Sequence, residues 1–498
     1  MTVHVELRRG AYHDSVSLLQ VSRAVAGVDG VEAAQVAMAT ELNCDVLRGM
    51  GFEVPPDAGP NDLVVALRVV GDDGVDAGLA AVEEQLAALR THDGIAGTAQ
   101  DVPPMTLGSA VRRTGAGLAV VSVPGDHAVT EALDALAAGA SVMLFSDNVA
   151  VPDEVRLKDL AAAADLLVMG PDCGTALVGG AALGFCNVVR PGTVGLVAAS
   201  GTGAQQVMCL LEAAGVGVSH CLGVGGRDLS AAVAGRSTRQ SLRALAADPV
   251  TESVVVVSKP PDEGVLAQVR ADAEELGLRV HWATLGPGRP DLTAAVEAAL
   301  TADGHAVPHW PQHVADPEDA QLTRGPSLRG LFCGGTLAEE AATIAAAELG
   351  PVATNLGHDP AHALPPDLAT DGHAVVDFGA DELTRGRAHP MIDPALRSER
   401  IAAEGADPGC GVLLLDLVLG HGAHPDPAGD LVAAISTARA TAHADGRALP
   451  VVVSLCGTDA DPQDRRACQA ALAAAGASVF LSNAAAARHA VTELGVAR

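Results

Sequence analysis

Residues 190–227 read RPGTVGLVAASGTGAQQVMCLLEAAGVGVSHCLGVGGR. Val194–Ala198 is a short apolar run of the kind that forms a buried strand. It enters a tight turn, Ser200-Gly201-Thr202-Gly203. Beyond the turn Val207, Leu210 and Leu211 recur at helical spacing, and Gly215 supplies a stop. A second strand then ends in another glycine turn, Gly223-Val224-Gly225-Gly226-Arg227. A glycine turn at a helix start leaves backbone N–H groups free beside the positive end of the helix dipole, where a phosphate or carboxylate can sit. The same motif also serves as plain α/β scaffolding, so by itself it leaves anion binding open.

The flanking sequence repeats the rhythm. From Gly117, LAVVSVPG is a strand and turn, Ala128–Ala138 a helix, Ser141–Phe145 a strand and Val155–Ala164 a helix. Leu166–Met169 is a strand ending at Gly170-Pro171-Asp172-Cys173-Gly174-Thr175. On the other side Ser253–Val257 is a strand ending at Ser258-Lys259-Pro260-Pro261, followed by a helix at Asp262–Leu276 and a strand at Val280–Thr284. A further unit starts at Gly330, where Leu331-Phe332 runs into Cys333-Gly334-Gly335-Thr336 and a helix at Leu337–Glu348. Its apolar run Gly411–Leu419 leads into Gly420-His421-Gly422, and Asp426 and Pro427 suit N-cap and N1 of the next helix. Strands and helices alternating at these lengths predict doubly wound sheets with ligands at the strands' carboxyl ends.

The fold class is therefore α/β. Residues 1–95 form a small α+β, ferredoxin-like domain, residues 117–189 a truncated Rossmann-like domain, and residues 190–303 and 328–498 two flavodoxin-like domains. The polar stretches 96–116 and 304–327 read as linkers. The prolines among His305, His309 and His313 forbid a regular helix, and no metal site is expected there.

The net charge of −30 argues against nucleic acid or an anionic membrane as partner. The start, MTVHVELRRG, has no apolar signal segment, and no apolar run reaches membrane-spanning length, so the chain reads as cytoplasmic. Nine cysteines without CxxC spacing suggest neither zinc nor disulfides. Cys186, Cys209, Cys333 and Cys468 fall in or beside apolar segments and read as core residues. The only lysines are Lys158 and Lys259. Lys158, in a polar helical stretch, reads as solvated. Lys259 sits just past a strand's carboxyl end, on the same edge as the Ser200 turn, where an ammonium group can meet a bound anion.

The run Met169–Arg227 resembles the α subunit of succinyl-CoA synthetase, as does DPVTESVVVVSKPPDEG at Asp248–Gly264. The tail Leu449–Ser482 resembles the carboxyl-terminal domain of that enzyme's β subunit. A single chain joining these parts to a small amino-terminal domain and to HPMIDP (His389–Pro394) is similar to the FdrA family.

In the synthetase, two facing helices point their N-termini at a phosphorylated histidine. The resemblance places one at Ser200, Gly201 and Thr202, and the other at Gly420-His421-Gly422, continuing into the helix at Pro427. Four departures matter. Leu285–Thr301 has no histidine. Lys259 falls where the synthetase has a glutamate. Residues 96–116 lack the glycine loop that holds coenzyme A, and no ATP-grasp domain is present. The resemblance to FdrA implies a subunit of an oxamate carbamoyltransferase of allantoin and purine breakdown, converting oxalurate and phosphate to oxamate and carbamoyl phosphate. That reaction implies phosphate as substrate, further carbamoyltransferase subunits as partners, and an oligomer. On this reading Lys259 neutralises charge, His421 or His389 moves a proton, Arg385 or Arg387 takes the substrate carboxylate, and Asp393 lies in the same substrate segment. The alternatives are an acyl-CoA synthetase of the succinate–CoA ligase type, for which coenzyme A is only weakly supported, and a non-catalytic scaffold or regulatory subunit.

Overall fold

The computed structural model describes residues 2–11, 13, 15–28, 30–71, 73–92, 103–316, 321–357, 360–384 and 388–495. The chain divides into two compact units, residues 1–103 with 385–388, and residues 104–384 with 389–498.

In the first unit Thr2–Arg8, Leu63–Val69 and Val31–Met38 form an antiparallel sheet in that order. Leu63–Val69 is central and almost wholly buried because it alone pairs on both edges. Helices Ser15–Ala26 and Asp73–His92 cover one face through Leu18, Val21, Val25, Val82 and Leu86. This is the expected ferredoxin-like arrangement. A helix at Glu41–Gly49, which the sequence reading passed over, is capped by the Thr40 hydroxyl receiving the Asn43 N–H.

Among the described residues the second unit holds three sheets. Leu118–Val121, Ser141–Leu144 and Val168–Met169 form a small parallel one. The preceding stretch is not all linker. Leu107–Thr114 is a helix, because Thr106 and Ser109 make a reciprocal capping box and Gly115 closes it in the left-handed region.

The second sheet runs Val280–Thr284, Ser253–Ser258, Pro191–Ala199, Val218–Gly223, Thr175–Val178, Ala181–Gly184. Its first four strands are parallel, and the last two are an antiparallel hairpin. The third runs Gln312–His313, Ala477–Phe480, Val451–Cys456, Cys410–Val418, Ser327–Phe332, His373–Asp377, Val352–Thr354, and is parallel except at Gln312–His313.

In both larger sheets the strand order reverses beside the first strand of the parallel set, so each leaves a crevice at its carboxyl edge. Pro191–Ala199 and Ser253–Ser258 flank one crevice, Ser327–Phe332 and Cys410–Val418 the other. A single core joins the two sheets. Val207, Met208 and Leu211 of the helix Gly201–Ala213 pack with Phe332, Leu337, Ala341, Val418 and Cys456. Each such side chain contributes roughly 1.5–3 kcal/mol when fully buried, which fixes one crevice against the other.

Lys158 is a correction. It is buried, not solvated, and its ammonium donates to Glu154 and Asp228, both at 2.7 Å, and to the Val224 carbonyl at 3.0 Å. The helix Val151–Ala163 packs this face inward, and the carboxylates satisfy the charge.

Candidate functional site

Ser200 is the N-cap of the helix Gly201–Ala213. Its backbone is extended, and its hydroxyl accepts the Gly203 N–H at 2.9 Å. That hydroxyl also lies 2.6 Å from the Thr336 hydroxyl. Thr336 is in the first turn of Gly335–Leu349, whose N-cap Gly334 makes no side-chain cap. A Cβ on Gly334 would stand 2.9 Å from the Thr202 side chain. Two helix N-termini from two sheets therefore abut, and one of them lacks a side-chain cap.

The Cys333-Gly334 turn is held from below. Asp416, fully buried on Cys410–Val418, accepts the Cys333 N–H at 2.8 Å and the Gly334 N–H at 2.9 Å. Arg397 donates to the same carboxylate at 2.6 Å. Burial raises the Asp416 pKa, and the arginine and the two N–H groups oppose that rise.

The helix that faces Ser200 is thus the one starting at Gly335, not the one starting at Pro427. Asp426 already caps the Pro427 helix by accepting the Gly429 N–H. Gly420–Gly422 does sit on the same sheet edge, but two of its backbone donors are engaged. Gly420 N–H goes to Gln463 and His421 N–H to the Cys186 carbonyl. A Cβ on Gly420 would lie 2.6 Å from that carbonyl. Gly420 and Gly422 pack on residues 184–187, and His421 is solvent-exposed.

Lys259 comes to the abutting ends as expected from its strand. A Cβ on Gly335 would meet Lys259 Nζ at 2.9 Å and Asp377 Oδ2 at 2.5 Å, so ammonium and carboxylate converge where only glycine leaves room. Asp377 ends the strand His373–Asp377 and is buried. Lost hydration pushes its carboxyl up to about 6, against the pull of Lys259 and of the Gly379 N–H. Asp172, past the end of Val168–Met169, also feels Lys259. It keeps a water-exposed surface but is ringed by protein. Lost hydration and the Asp381 charge raise its pKa, against the pull of Lys259 and Arg227.

His389 joins the same cluster. A Cβ on Gly379 would lie 2.7 Å from His389 Nε2, 2.9 Å from the Cys333 carbonyl and 3.1 Å from Asp377 Oδ1. His389 Nδ1 accepts the Met391 N–H, and its ring lies 5.7 Å from Phe185. Burial, helped by Arg397, pushes the imidazole down to about 4, so it is neutral near pH 7.

Asp393 is elsewhere in role: its carboxylate accepts the Ala395 N–H at a helix start. Arg385 and Arg387 lie outside the described residues. An open groove of about 390 Å³ lies apart from this chemistry, lined by Pro311, His313, Arg465 and Arg466 among others. Both of its arginines are already paired with Asp459.

The sequence reading missed Thr336, Asp172, Asp377 and Asp416. The sequence does mark Cys333–Thr336 as a glycine turn before a helix and Asp172 past a strand's end, so for these the signal is position at a carboxyl edge. Which turn would meet Ser200 depends on how two sheets pack.

Residues 1–103 match the family model described as AllF, heavy metal-associated domain, and residues 331–492 that described as CoA-ligase. Among the described residues no group of three or more His, Cys, Asp or Glu side chains is placed to hold a metal ion, so no metal chemistry is assigned. The protein YahF of Escherichia coli K12, uncharacterized by its own name, is 38% identical over 482 residues, 93% of this chain and 92% of that one. A succinate–CoA ligase α subunit of Archaeoglobus fulgidus is 30% identical over 187 residues, 36% of this chain and 64% of the other. Among solved structures, acetyl-coenzyme A synthetase 1 of Ca. Korarchaeum cryptofilum, in complex with phosphate and ADP, is similar over 81% of this chain and 86% of its own. Its identity is 16% and its TM-score 0.30, a superposition too loose to carry residue correspondences. Matched almost end to end by YahF, with an AllF-type domain ahead of a CoA-ligase module, the chain belongs to the FdrA-like family that includes YahF and has similarity to succinate–CoA ligase α subunits.

Proposed function

We propose that this chain binds phosphate or an acyl phosphate between the helix ends at Ser200–Thr202 and Gly334–Thr336, and moves the acyl group as an acyl-CoA-synthetase-like enzyme does. The observation that carries this reading is the 2.6 Å meeting of Ser200 and Thr336 beside Lys259. Two positive helix ends brought together are repulsive unless an anion lies between them. The hydroxyls and free N–H groups would bind phosphoryl oxygens, and Lys259 would offset charge growing on the leaving phosphate. His389, neutral with Nδ1 accepting a backbone N–H, presents Nε2 on the same side. It is suited to orient a substrate oxygen rather than to carry a permanent charge.

Phosphoryl transfer to a histidine in Leu285–Thr301 is not part of this reading, since that segment has none. The helix Leu292–Ala302 there is capped by Asp291, and its first N–H goes to Glu340. The coenzyme A loop expected before Leu118 is the helix Leu107–Thr114, so the residues present do not fit that cofactor there and no contact with it is assigned.

The CoA-ligase match and the succinate–CoA ligase relatives favour acyl transfer of the ligase type over the carbamoyl transfer first expected. None of the names matched above mentions carbamoyl transfer. Carbamoyl transfer stands second, resting on the FdrA resemblance and the missing histidine. Carbamoyl phosphate is itself an acyl phosphate, so the same cradle serves both. The test is ³¹P NMR of phosphate release by the full chain from acetyl phosphate and from carbamoyl phosphate, with coenzyme A or oxamate as acceptor. Acceptor-dependent release from acetyl phosphate with coenzyme A supports the first reading. Release only from carbamoyl phosphate with oxamate supports the second. Release from neither, with or without candidate partner subunits, removes both.

A further inference from the structure

We infer that Asp377 makes the site selective for a proton-bearing oxyanion: its free carboxylate oxygen accepts the P–OH of inorganic phosphate and turns away sulfate, which has no proton to give. This inference rests on the phosphate reading above and names which anion that site takes.

Asp377 is held in place from its own strand. Asn355 Oδ1 accepts its backbone N–H and Asn355 Nδ2 donates to its carbonyl, both at 2.8 Å. Its Oδ1 accepts the Gly379 N–H, also at 2.8 Å. Oδ2, on the same buried side chain, receives no hydrogen bond among the described residues. It lies 2.5 Å from the point where a Gly335 Cβ would stand, and Lys259 Nζ lies 2.9 Å from that same point. No ion pair joins the two, and among the described residues the Lys259 ammonium donates to no other group. An anionic acceptor and a cationic donor thus face one spot that glycine leaves open, at a helix start that no side chain caps.

A ligand for that spot must bring negative charge to Lys259 and the helix ends, and a proton to Oδ2. An ionised carboxylate only accepts hydrogen bonds, so an oxyanion that offers nothing but lone pairs is repelled by it. At neutral pH inorganic phosphate has a P–OH as well as charged oxygens. Sulfate has the same tetrahedral shape and lacks the proton. The charged groups that face Asp377 are Lys259, Asp416 and Glu382, with the neutral His389 ring beside Gly379. Lost hydration pushes the Asp377 carboxyl up to about 6, so it is mostly ionised at pH 7 and mostly protonated at pH 5. Once it holds its own proton it becomes a donor, and sulfate no longer meets a lone pair there.

Calorimetric titration of the full chain with inorganic phosphate and with sulfate at pH 7 reads the selectivity. In the wild type phosphate is expected to bind at least about tenfold more tightly, the effect of one hydrogen bond to a charged group. In Asp377→Asn the amide oxygen can keep the Gly379 N–H while the NH₂ group faces the site, so sulfate gains a donor and the ratio should fall to about threefold or less. Sulfate keeps one charge state between pH 7 and pH 5, so the pH dependence of its affinity reports the protein. Its binding to the wild type should tighten by up to about tenfold over that range, and in Asp377→Asn it should not. Equal binding of the two anions by the wild type, a ratio unchanged in Asp377→Asn, a sulfate affinity that ignores pH, or a tightening that survives in the variant overturns the assignment and leaves the phosphate site standing. Binding of neither anion by the wild type overturns the phosphate reading as well. The wild-type ratio and its pH series keep the test decisive if Asp377→Asn fails to fold.

Discussion

The hydroxyls of Ser200 and Thr336, 136 positions apart in sequence, meet at 2.6 Å and join the first turns of two helices from different sheets. Ser200 does two things there, because it also caps its own helix. Thr336 does one. Ser200→Ala should therefore cost about 1 kcal/mol of stability and weaken phosphate binding as well. Thr336→Val, nearly the same shape, should leave the Ser200 cap in place and weaken binding alone. Urea unfolding beside phosphate titration separates them. Equal loss of stability in both variants would contradict the assignment.

Asp416 touches no expected ligand position, yet it holds the Cys333 and Gly334 N–H groups and Arg397. Asp416→Ala leaves a buried guanidinium and two backbone donors without their partner. A loss of about 3–5 kcal/mol is expected, read from the urea midpoint. A loss under about 1 kcal/mol would mean that the turn does not depend on this carboxylate.

Lys158 makes a similar test of burial. In Lys158→Met the carboxylates of Glu154 and Asp228 stay buried while their shared cation is gone; Arg227 still reaches Glu154 at 3.0 Å. Destabilisation of about 3 kcal/mol or more is expected. A surface lysine, as the sequence suggested, would cost almost nothing.

The pH dependence of stability follows from Asp377. Its folded pKa, about 6, lies above the ordinary 3.8, so the fold favours the protonated form. Its contribution is full below about pH 4 and is lost as pH rises through about 6. Asp172 and Glu340, both raised, act with the same sign. Asp377→Asn keeps an acceptor for Gly379 and should flatten the stability profile between about pH 4 and 6.5. Profiles that stay parallel for wild type and variant would show that Asp377 is not perturbed.

Much of this was legible in residues alone. Apolar runs of strand length followed by glycine turns located Pro191–Ala199, Ser253–Ser258 and Cys410–Val418. Gly215 and Asp426 marked a helix end and a helix start through their backbone chemistry. Lys259 was found because it stands at a strand's carboxyl end. What stayed hidden depended on partners distant in sequence. Lys158 looks polar until Asp228 is folded against it, and Gly420 looks like an anion turn until the Cys186 carbonyl covers it. The hairpin Thr175–Gly184 extends the second sheet from a segment whose own pattern is too short to announce two strands.

In the proposed function two helix ends and Lys259 form one anion site. Calorimetric titration of the full chain with inorganic phosphate, wild type against Lys259→Met, tests it most directly. One phosphate is expected to bind per chain, at least about tenfold (roughly 1.4 kcal/mol) more weakly in the variant. Equal affinity in the two proteins, or no binding by the wild type, would contradict it.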